Sequence, residues 1–269
     1  MIVGLYRIID HNLPKLKGVI WKQWYQLLAR FYKRKDWTFM NYGYAPVDNQ
    51  IEKIELNKAD EENRYCIQLY HHVASAIDLV GLDVMEVGSG RGGGADFIKR
   101  HLKPNKMVGV DFSKNAVEFC NQNYHVNNLS FETGNAESLP VKDNSFDAII
   151  NIESSHCYGS MEAFLFQVKR VLKVGGHFLF ADLRTKDTVE NLKKSLLNSG
   201  LRIVKEVDIT QNVVEALKLD NHNKIKQIKN TIHKPLVSMF LEFAGTEGSK
   251  IYKNFNDREN IYLSYVLQK

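Results

Sequence analysis

"MEVGSGRGGGADF", residues 85–97, packs five glycines between Gly88 and Gly94. Each glycine gives up more backbone freedom on folding than any other residue would. The run is tolerated only if the backbone must bend sharply or let something come very close. An apolar stretch, "DVMEVG" (83–88), leads into it, and "ADFIKRHL" (95–102) reads as a helix leaving it. A strand, a glycine turn and a helix in that order form the cradle at which parallel sheets bind ligands.

The chain beyond this turn keeps alternating. "KMVGVDF" (106–112), "LSFETG" (129–134), "FDAIINIES" (146–154), "HFLFADL" (177–183), "RIVKEVDIT" (202–210) and "NIYLSYVLQK" (260–269) read as further strands. "SKNAVEFCNQNYHV" (113–126, with Ser113 as N-cap), "MEAFLFQVKRVLK" (161–173) and "TVENLKKSLLNSG" (188–200) read as helices between them. Strand alternating with helix predicts an α/β fold, a largely parallel sheet with helices on both faces. A helix over 62–80, with Cys66, Leu69, Tyr70, Val73, Ala74, Ile77 and Val80 on one stripe, precedes the sheet. The stretch 211–259 is too long for an idle loop and reads as a helical cap.

Composition is that of an ordinary globular chain of 269 residues, 44% hydrophobic and 25% charged. A net charge of +5 does not argue for nucleic acid. Cys66, Cys120 and Cys157 fit neither a metal spacing nor a disulfide framework, which points to a reducing compartment. No carboxylate–histidine cluster suggests a metal. Arg7, Asp10 and His11 interrupt the N-terminal apolar residues, so no signal-peptide core or membrane span is expected. The predicted location is the cytoplasm. Residues 1–40 nevertheless hold eight Lys/Arg against two acids. Within them "VIWKQWYQLLARFYKRK" (19–35) sets Ile20, Trp24, Leu27, Leu28 and Phe31 on one helical face, flanked by basic residues. Two readings are open: a helix packed as part of a substrate lid, or a helix resting on the inner face of an anionic membrane.

Gly88, Gly90 and Gly93 fit G-x-G-x-x-G, and Asp111 ends the next strand, where a carboxylate can accept from both hydroxyls of a ribose. Two cofactors compete for that geometry. A nicotinamide dinucleotide needs a pyrophosphate at the helix N-terminus, and Glu86 would repel it. S-adenosylmethionine carries an ammonium that Glu86 attracts. The E-x-G-x-G pattern resembles the first motif of the class I S-adenosylmethionine-dependent methyltransferases. "VGVDFS" (108–113), "GNAESLPVKDNSFDAII" (134–150) and "RVLKVGGHFLFAD" (170–182) resemble its later segments, with Asn135 where Asp is common and Val174 where Pro is. That resemblance implies a Rossmann-like, seven-stranded mixed sheet in the order 3-2-1-4-5-7-6, its last strand antiparallel. It implies Asp111 on the ribose, Phe112 against the adenine, Asn135 and Ala136 at the adenine edge, and Glu86, Gly88, Ser89, Gly90 and Asn151 among the cofactor contacts.

The acceptor is read from the segment after the fourth strand. Asn151-Ile152-Glu153-Ser154 lacks the prolines and aromatic platform of amino-group methyltransferases. "NIESSHCYG" (151–159) instead puts His156 at the mouth of the site. Positioning supplies much of the rate of an in-line displacement, and a hydroxyl acceptor also benefits from a base. His156 is therefore the candidate general base, with Glu153 orienting it or the substrate. His71 and His72 are expected to be structural. "FMNYGYAP" (39–46), "RYCIQLYHHV" (64–73), "NIESSHCYG" and "FLEFAGTEGSKIYKNF" (240–255) together resemble bacterial methyltransferases of the phthiotriolone/phenolphthiotriolone dimycocerosate type. This implies O-methylation of an apolar, lipid- or polyketide-like hydroxyl, with Tyr42 and Tyr44 in an N-terminal lid closing over the methionine end of the cofactor.

The expected organisation is a helical lid over 1–60 and a methyltransferase domain over 61–269 with a cap at 211–259. The rivals are a C-methyltransferase of the quinone, sterol or tocopherol kind, a nicotinamide-dependent oxidoreductase, and a cofactor- or lipid-binding protein without catalysis.

Overall fold

Along the central strands, alternate side chains enter two different cores. Val84, Ala148, Ile150, Ile152, Leu179 and Ala181 face one, and Met85, Val87, Ile149, Phe178 and Phe180 face the other. This period of two, with apolar residues in both phases, is what a sheet covered on both faces requires. The computed structural model describes residues 37–47 and 54–269. Its elements are α1 (Lys58–Glu61), α2 (Arg64–Ala74), β1 (Asp83–Val87), α3 (Gly93–His101), β2 (Lys106–Asp111), α4 (Lys114–Asn123), β3 (Leu129–Thr133), β4 (Phe146–Ile152), α5 (Met161–Val171), β5 (Leu172–Thr185), α6 (Val189–Asn198), β6 (Arg202–Asp208), α7 (Thr210–Thr231), α8 (Val237–Phe243), α9 (Lys250–Asn256) and β7 (Asn260–Gln268). The amphipathic segment at 19–35 lies outside the described residues.

The seven strands form one sheet in the order β3-β2-β1-β4-β5-β7-β6. β1 pairs in parallel with β2 and β4, β2 with β3, and β4 with β5. β7 runs antiparallel between β5 and β6, with Phe180 opposite Tyr265 and Asp182 opposite Leu263. This is the Rossmann-like arrangement expected of the class I fold.

One face is covered by α2, α3, α4, α7 and α9 through Leu69, Phe97, Val117, Val213 and Phe255. The other is covered by α5 and α6 through Phe164, Leu165, Val168, Leu192 and Leu196. Phe97, Phe164 and Phe178 are fully buried, each contributing about 1.5–3 kcal/mol of apolar burial.

Two boundaries differ most from expectation. The helix predicted over 62–80 ends at Ala74. Ser75 turns back, its Oγ donating to His71 O at 2.6 Å. Val80 lies beyond that end and is exposed. The fifth strand is longer than predicted, Leu172–Thr185, because Gly175 and Gly176 continue it and bond to Lys269 at both N–H and C=O.

Sheet order fixes where a site can form. β1 feeds α3 on the β2 side of the sheet, and β4 lies on its other side. The loops after β1, β4 and β5 therefore emerge side by side at the carboxyl edge, beside the switch point of the strand order.

Candidate active site

β1 delivers its chain into the glycine turn at Gly88, whose φ is +81°. A Cβ there would lie 2.0 Å from Ser154 Oγ, so both the dihedral and the space require glycine. Gly94, in the first turn of α3, is needed for packing: its Cβ would fall 1.8 Å from Tyr70 Cε1. The turn is pinned to the next strand. The Gly88 N–H donates to Val110 O at 2.7 Å, and the Gly90 N–H to Asp111 Oδ2 at 2.8 Å.

Beneath the turn, Glu86 is wholly buried and its Oε1 accepts from Tyr70 Oη at 2.7 Å. Burial, aided by the neighbouring Asp111 charge, pushes its carboxyl up to about 8 despite the tyrosine hydroxyl. Its Oε2, Ser89 Oγ and Asn151 Oδ1 are buried and lack hydrogen-bond partners. Such orphaned atoms are costly, and three of them around one turn mark a place that a ligand's donors complete. An ammonium and ribose hydroxyls are donors of that kind. Asp111 accepts from Gly90 and, at 2.7 Å, from the Ser113 N–H, which leaves lone pairs for two ribose hydroxyls. Phe112 stands at the rim, 41% exposed. Asn135 is exposed and its Oδ1 accepts the Glu137 N–H at 3.0 Å, while Ala136 is buried beside it. These residues fit S-adenosylmethionine, and a pyrophosphate would add negative charge above a buried carboxyl.

Residues 37–46 run as a strap across this cradle. Trp37 O accepts from Arg91 Nε, and Met40 Cε lies 3.2 Å from a Cβ placed on Gly90. The Tyr42 N–H donates to Glu153 Oε1 at 2.8 Å, and Lys224 Nζ donates to Tyr42 O at 3.3 Å. Ala45 and Asn212 exchange two hydrogen bonds of 3.0 and 2.9 Å. The Tyr42 ring meets Phe255 edge-on at 5.2 Å, and Tyr44 stacks on His72 at 4.5 Å. Burial lowers His72 to about 4, in keeping with a packed, neutral ring.

The loop after β4 carries the candidate catalytic residues. Glu153 adopts φ +46°, a left-handed conformation that side chains other than glycine rarely take. Burial pushes its carboxyl up to about 7. Asn151 Nδ2 donates to Val87 O at 2.7 Å and to Tyr158 Oη at 3.0 Å, and Tyr158 and Ser154 share a 2.7 Å hydrogen bond. His156 opens the next turn with its side chain 17% exposed and Nδ1 2.7 Å from Asp182 Oδ1. Burial opposes its charged form, but Cys157 and Asp182 outweigh that and hold His156 well above its usual range.

Sequence reasoning missed Tyr70, Ser154, Tyr158, Asp182 and Arg184. Asp182 has a usable signal: an acid at the carboxyl end of the strand next to the one that delivers His156. Tyr70 has none, because its helical spacing reads as core. Among the described residues there is no cluster of three or more His, Cys, Asp or Glu that could hold a metal, and no helix long and apolar enough to cross a membrane.

A glycine turn between a central strand and a helix, an acid at the end of the next strand and a histidine over the carboxyl edge define a methyltransferase of the Rossmann-like class. Residues 64–252 match the family model described as a methyltransferase domain, and the chain belongs to that family. It is 36% identical over 229 residues to the probable phthiotriol/phenolphthiotriol dimycocerosates methyltransferase 2 of Mycobacterium ulcerans, covering 84% of this chain and 85% of that one. It is 32% identical to the fatty-acid O-methyltransferase of Mycolicibacterium smegmatis, over 91% of this chain and 88% of the other. The fold matches geranyl diphosphate C-methyltransferase from Streptomyces coelicolor A3(2), solved with S-adenosyl-L-homocysteine, with a TM-score of 0.63 and 16% identity over 91% of this chain and 97% of that one. The methyl donor is S-adenosylmethionine.

Proposed function

We propose that the enzyme transfers a methyl group to a hydroxyl oxygen of a long apolar, lipid- or polyketide-like molecule. The observation that carries this is the placement of His156. With Nδ1 committed to Asp182, Nε2 is the basic nitrogen of the neutral ring, at the mouth of a cradle built for a sulfonium donor. A hydroxyl needs such a base, because its proton must leave as its oxygen gains carbon. The relatives' names support the acceptor class: one names a fatty acid and O-methylation, the other dimycocerosates.

The donor supplies an electrophilic methyl group. Glu86, Ser89 and Asn151 hold its amino-acid end, and Gly88 and Gly90 allow the close approach. Asp111 takes the ribose, with Phe112, Asn135 and Ala136 around the adenine. Glu153 and Tyr42 close the strap over the reacting atoms and exclude water. Residues 37–46 act as part of a lid, and 211–259 act as the cap of a domain spanning 61–269. The enzyme works in the cytoplasm and meets its acceptor at the inner face of a membrane.

Calorimetry with S-adenosylmethionine, S-adenosylhomocysteine and NADH tests the cradle: binding of the first two alone is expected, and binding of NADH alone would overturn it. Transfer of a radiolabelled methyl group to methyl 12-hydroxystearate, stearic acid and a demethylmenaquinone tests the acceptor. Label in the first supports the hydroxyl reading. Label confined to the second or third replaces it with carboxylate or carbon methylation. Co-sedimentation of the full chain with anionic vesicles tests the membrane contact.

A further inference from the structure

We propose that Ser154 binds the carboxylate of the methyl donor, and that Tyr158 is the positioning residue that leaves the serine proton free for it. The proposal rests on the reading that the donor's amino-acid end lies over the glycine turn. Ser154 lies just beyond the end of β4 and is partly exposed. Its Oγ is 2.0 Å from the point a Cβ on Gly88 would occupy, and Tyr158 Oη is 3.0 Å from that same point. Both hydroxyls therefore stand over the bare backbone that lets the donor come close.

The direction of each hydrogen bond here follows from one backbone carbonyl. The register between β1 and β4 ends at Glu86 and Ile150. One residue further along each strand, Asn151 Nδ2 donates to Val87 O at 2.7 Å. A carbonyl oxygen only accepts, so the amide nitrogen is the atom that faces it. The second Nδ2 proton goes to Tyr158 Oη at 3.0 Å. Tyr158 thus accepts from the amide and still has its own proton to give. Burial holds that hydroxyl above its usual range, so the proton stays on it. Ser154 Oγ, at 2.7 Å, is the acceptor within reach. The opposite direction would leave a buried phenol proton without an acceptor, which is costly. Among the described residues Ser154 Oγ has no other hydrogen-bond partner, so its proton is left to donate. The chain of bonds ends in that donor on one side. On the other it ends in Asn151 Oδ1, an acceptor that is buried and unpartnered, as is Glu86 Oε2. A zwitterion complements this arrangement: its ammonium donates to Asn151 and Glu86, and its carboxylate accepts from Ser154 in a charge-assisted hydrogen bond.

Calorimetry on the full chain with three ligands tests this. They are S-adenosylhomocysteine, its decarboxylated analogue, which keeps the ammonium, and methylthioadenosine, which has neither charged group. Ser154→Ala should weaken S-adenosylhomocysteine about fivefold and leave the other two within about twofold, since one hydrogen bond is lost and nothing else is touched. Tyr158→Phe keeps the ring that meets Phe164 edge-on at 4.9 Å and removes only the hydroxyl. It should weaken S-adenosylhomocysteine as well and leave methylthioadenosine unchanged. The double variant should lose little more than either alone, because both act through one chain of bonds. If Ser154→Ala weakens S-adenosylhomocysteine and the decarboxylated analogue alike, or weakens neither, the assignment is overturned. A wild-type chain that binds S-adenosylhomocysteine no more tightly than methylthioadenosine would remove the placement of the amino-acid end itself, and the assignment with it.

Discussion

Ser154 stands over Gly88 so closely that its Oγ lies 2.0 Å from the point a Cβ on residue 88 would occupy. The loop after β4 and the turn after β1 are thus one packed unit, held also by Asn151 between Val87 O and Tyr158.

Gly88→Ala should therefore damage the cradle. Forced overpacking costs about 1–3 kcal/mol, so affinity for S-adenosylhomocysteine should fall roughly tenfold to a hundredfold by calorimetry. Ser154→Ala on the same chain clears the obstructing oxygen and should restore part of the loss. No recovery in the double variant would mean that the left-handed dihedral and the residue 154 Cβ, which alanine keeps 2.6 Å from the same point, decide the residue.

Glu86 makes stability depend on pH. Its folded pKa of about 8 lies above the ordinary value of 4.5, so the folded protein holds this proton more tightly than the unfolded chain. The resulting stabilisation is full below 4.5 and is lost as pH rises through about 8. The melting temperature of the free protein should decline between about pH 4.5 and 8, and Glu86→Gln should flatten that decline. Saturating S-adenosylmethionine should offset it, because its ammonium favours the ionised carboxylate. A profile that Glu86→Gln leaves unchanged would sink the idea.

His156→Ala should reduce kcat on a hydroxyl acceptor about 10²–10⁴-fold, with S-adenosylhomocysteine binding nearly unchanged. Because the base must be neutral, kcat/KM should fall as pH drops. Since His156 is held well above 6.5, the midpoint of that limb should lie above 6.5. A limb that stays in place in His156→Ala would point instead to Glu153, whose carboxyl is pushed up to about 7.

Glu153→Ala removes the acceptor of the Tyr42 N–H and should loosen the strap, weakening S-adenosylhomocysteine about tenfold through faster release. Glu153→Gln keeps an oxygen there and should retain most of the affinity. Stopped-flow release rates for the two variants check this, and equal rates would mean that the bond does not hold the strap.

Local signals make the glycine turn, Asp111 and the strand pattern legible, because each is written in adjacent residues. The seven-stranded order comes from the resemblance of four segments, with Asn135 and Val174 departing from the pattern. What local reading cannot supply is lateral. Asp182 meets His156 only because β5 lies beside β4, and Tyr70 reaches Glu86 only because Gly94 leaves it room. The helix predicted over 62–80 is too long because Ile77 and Val80 continue its apolar spacing after Ser75 has already closed the last turn.

The position of β7 has a consequence for how the molecule is assembled. β7 inserts between β5 and β6, pairing His177 with Gln268 and Arg202 with Gln268. These are contacts between distant parts of the chain, the kind that slow folding. β1 to β4 find parallel neighbours among themselves, whereas β5 has one open edge until β7 arrives. During synthesis, the strand carrying Asp182 waits with half its ladder unmade, and β6 has no partner at all. The half of the sheet that carries the glycine turn can form early, and the half that carries Asp182 forms last.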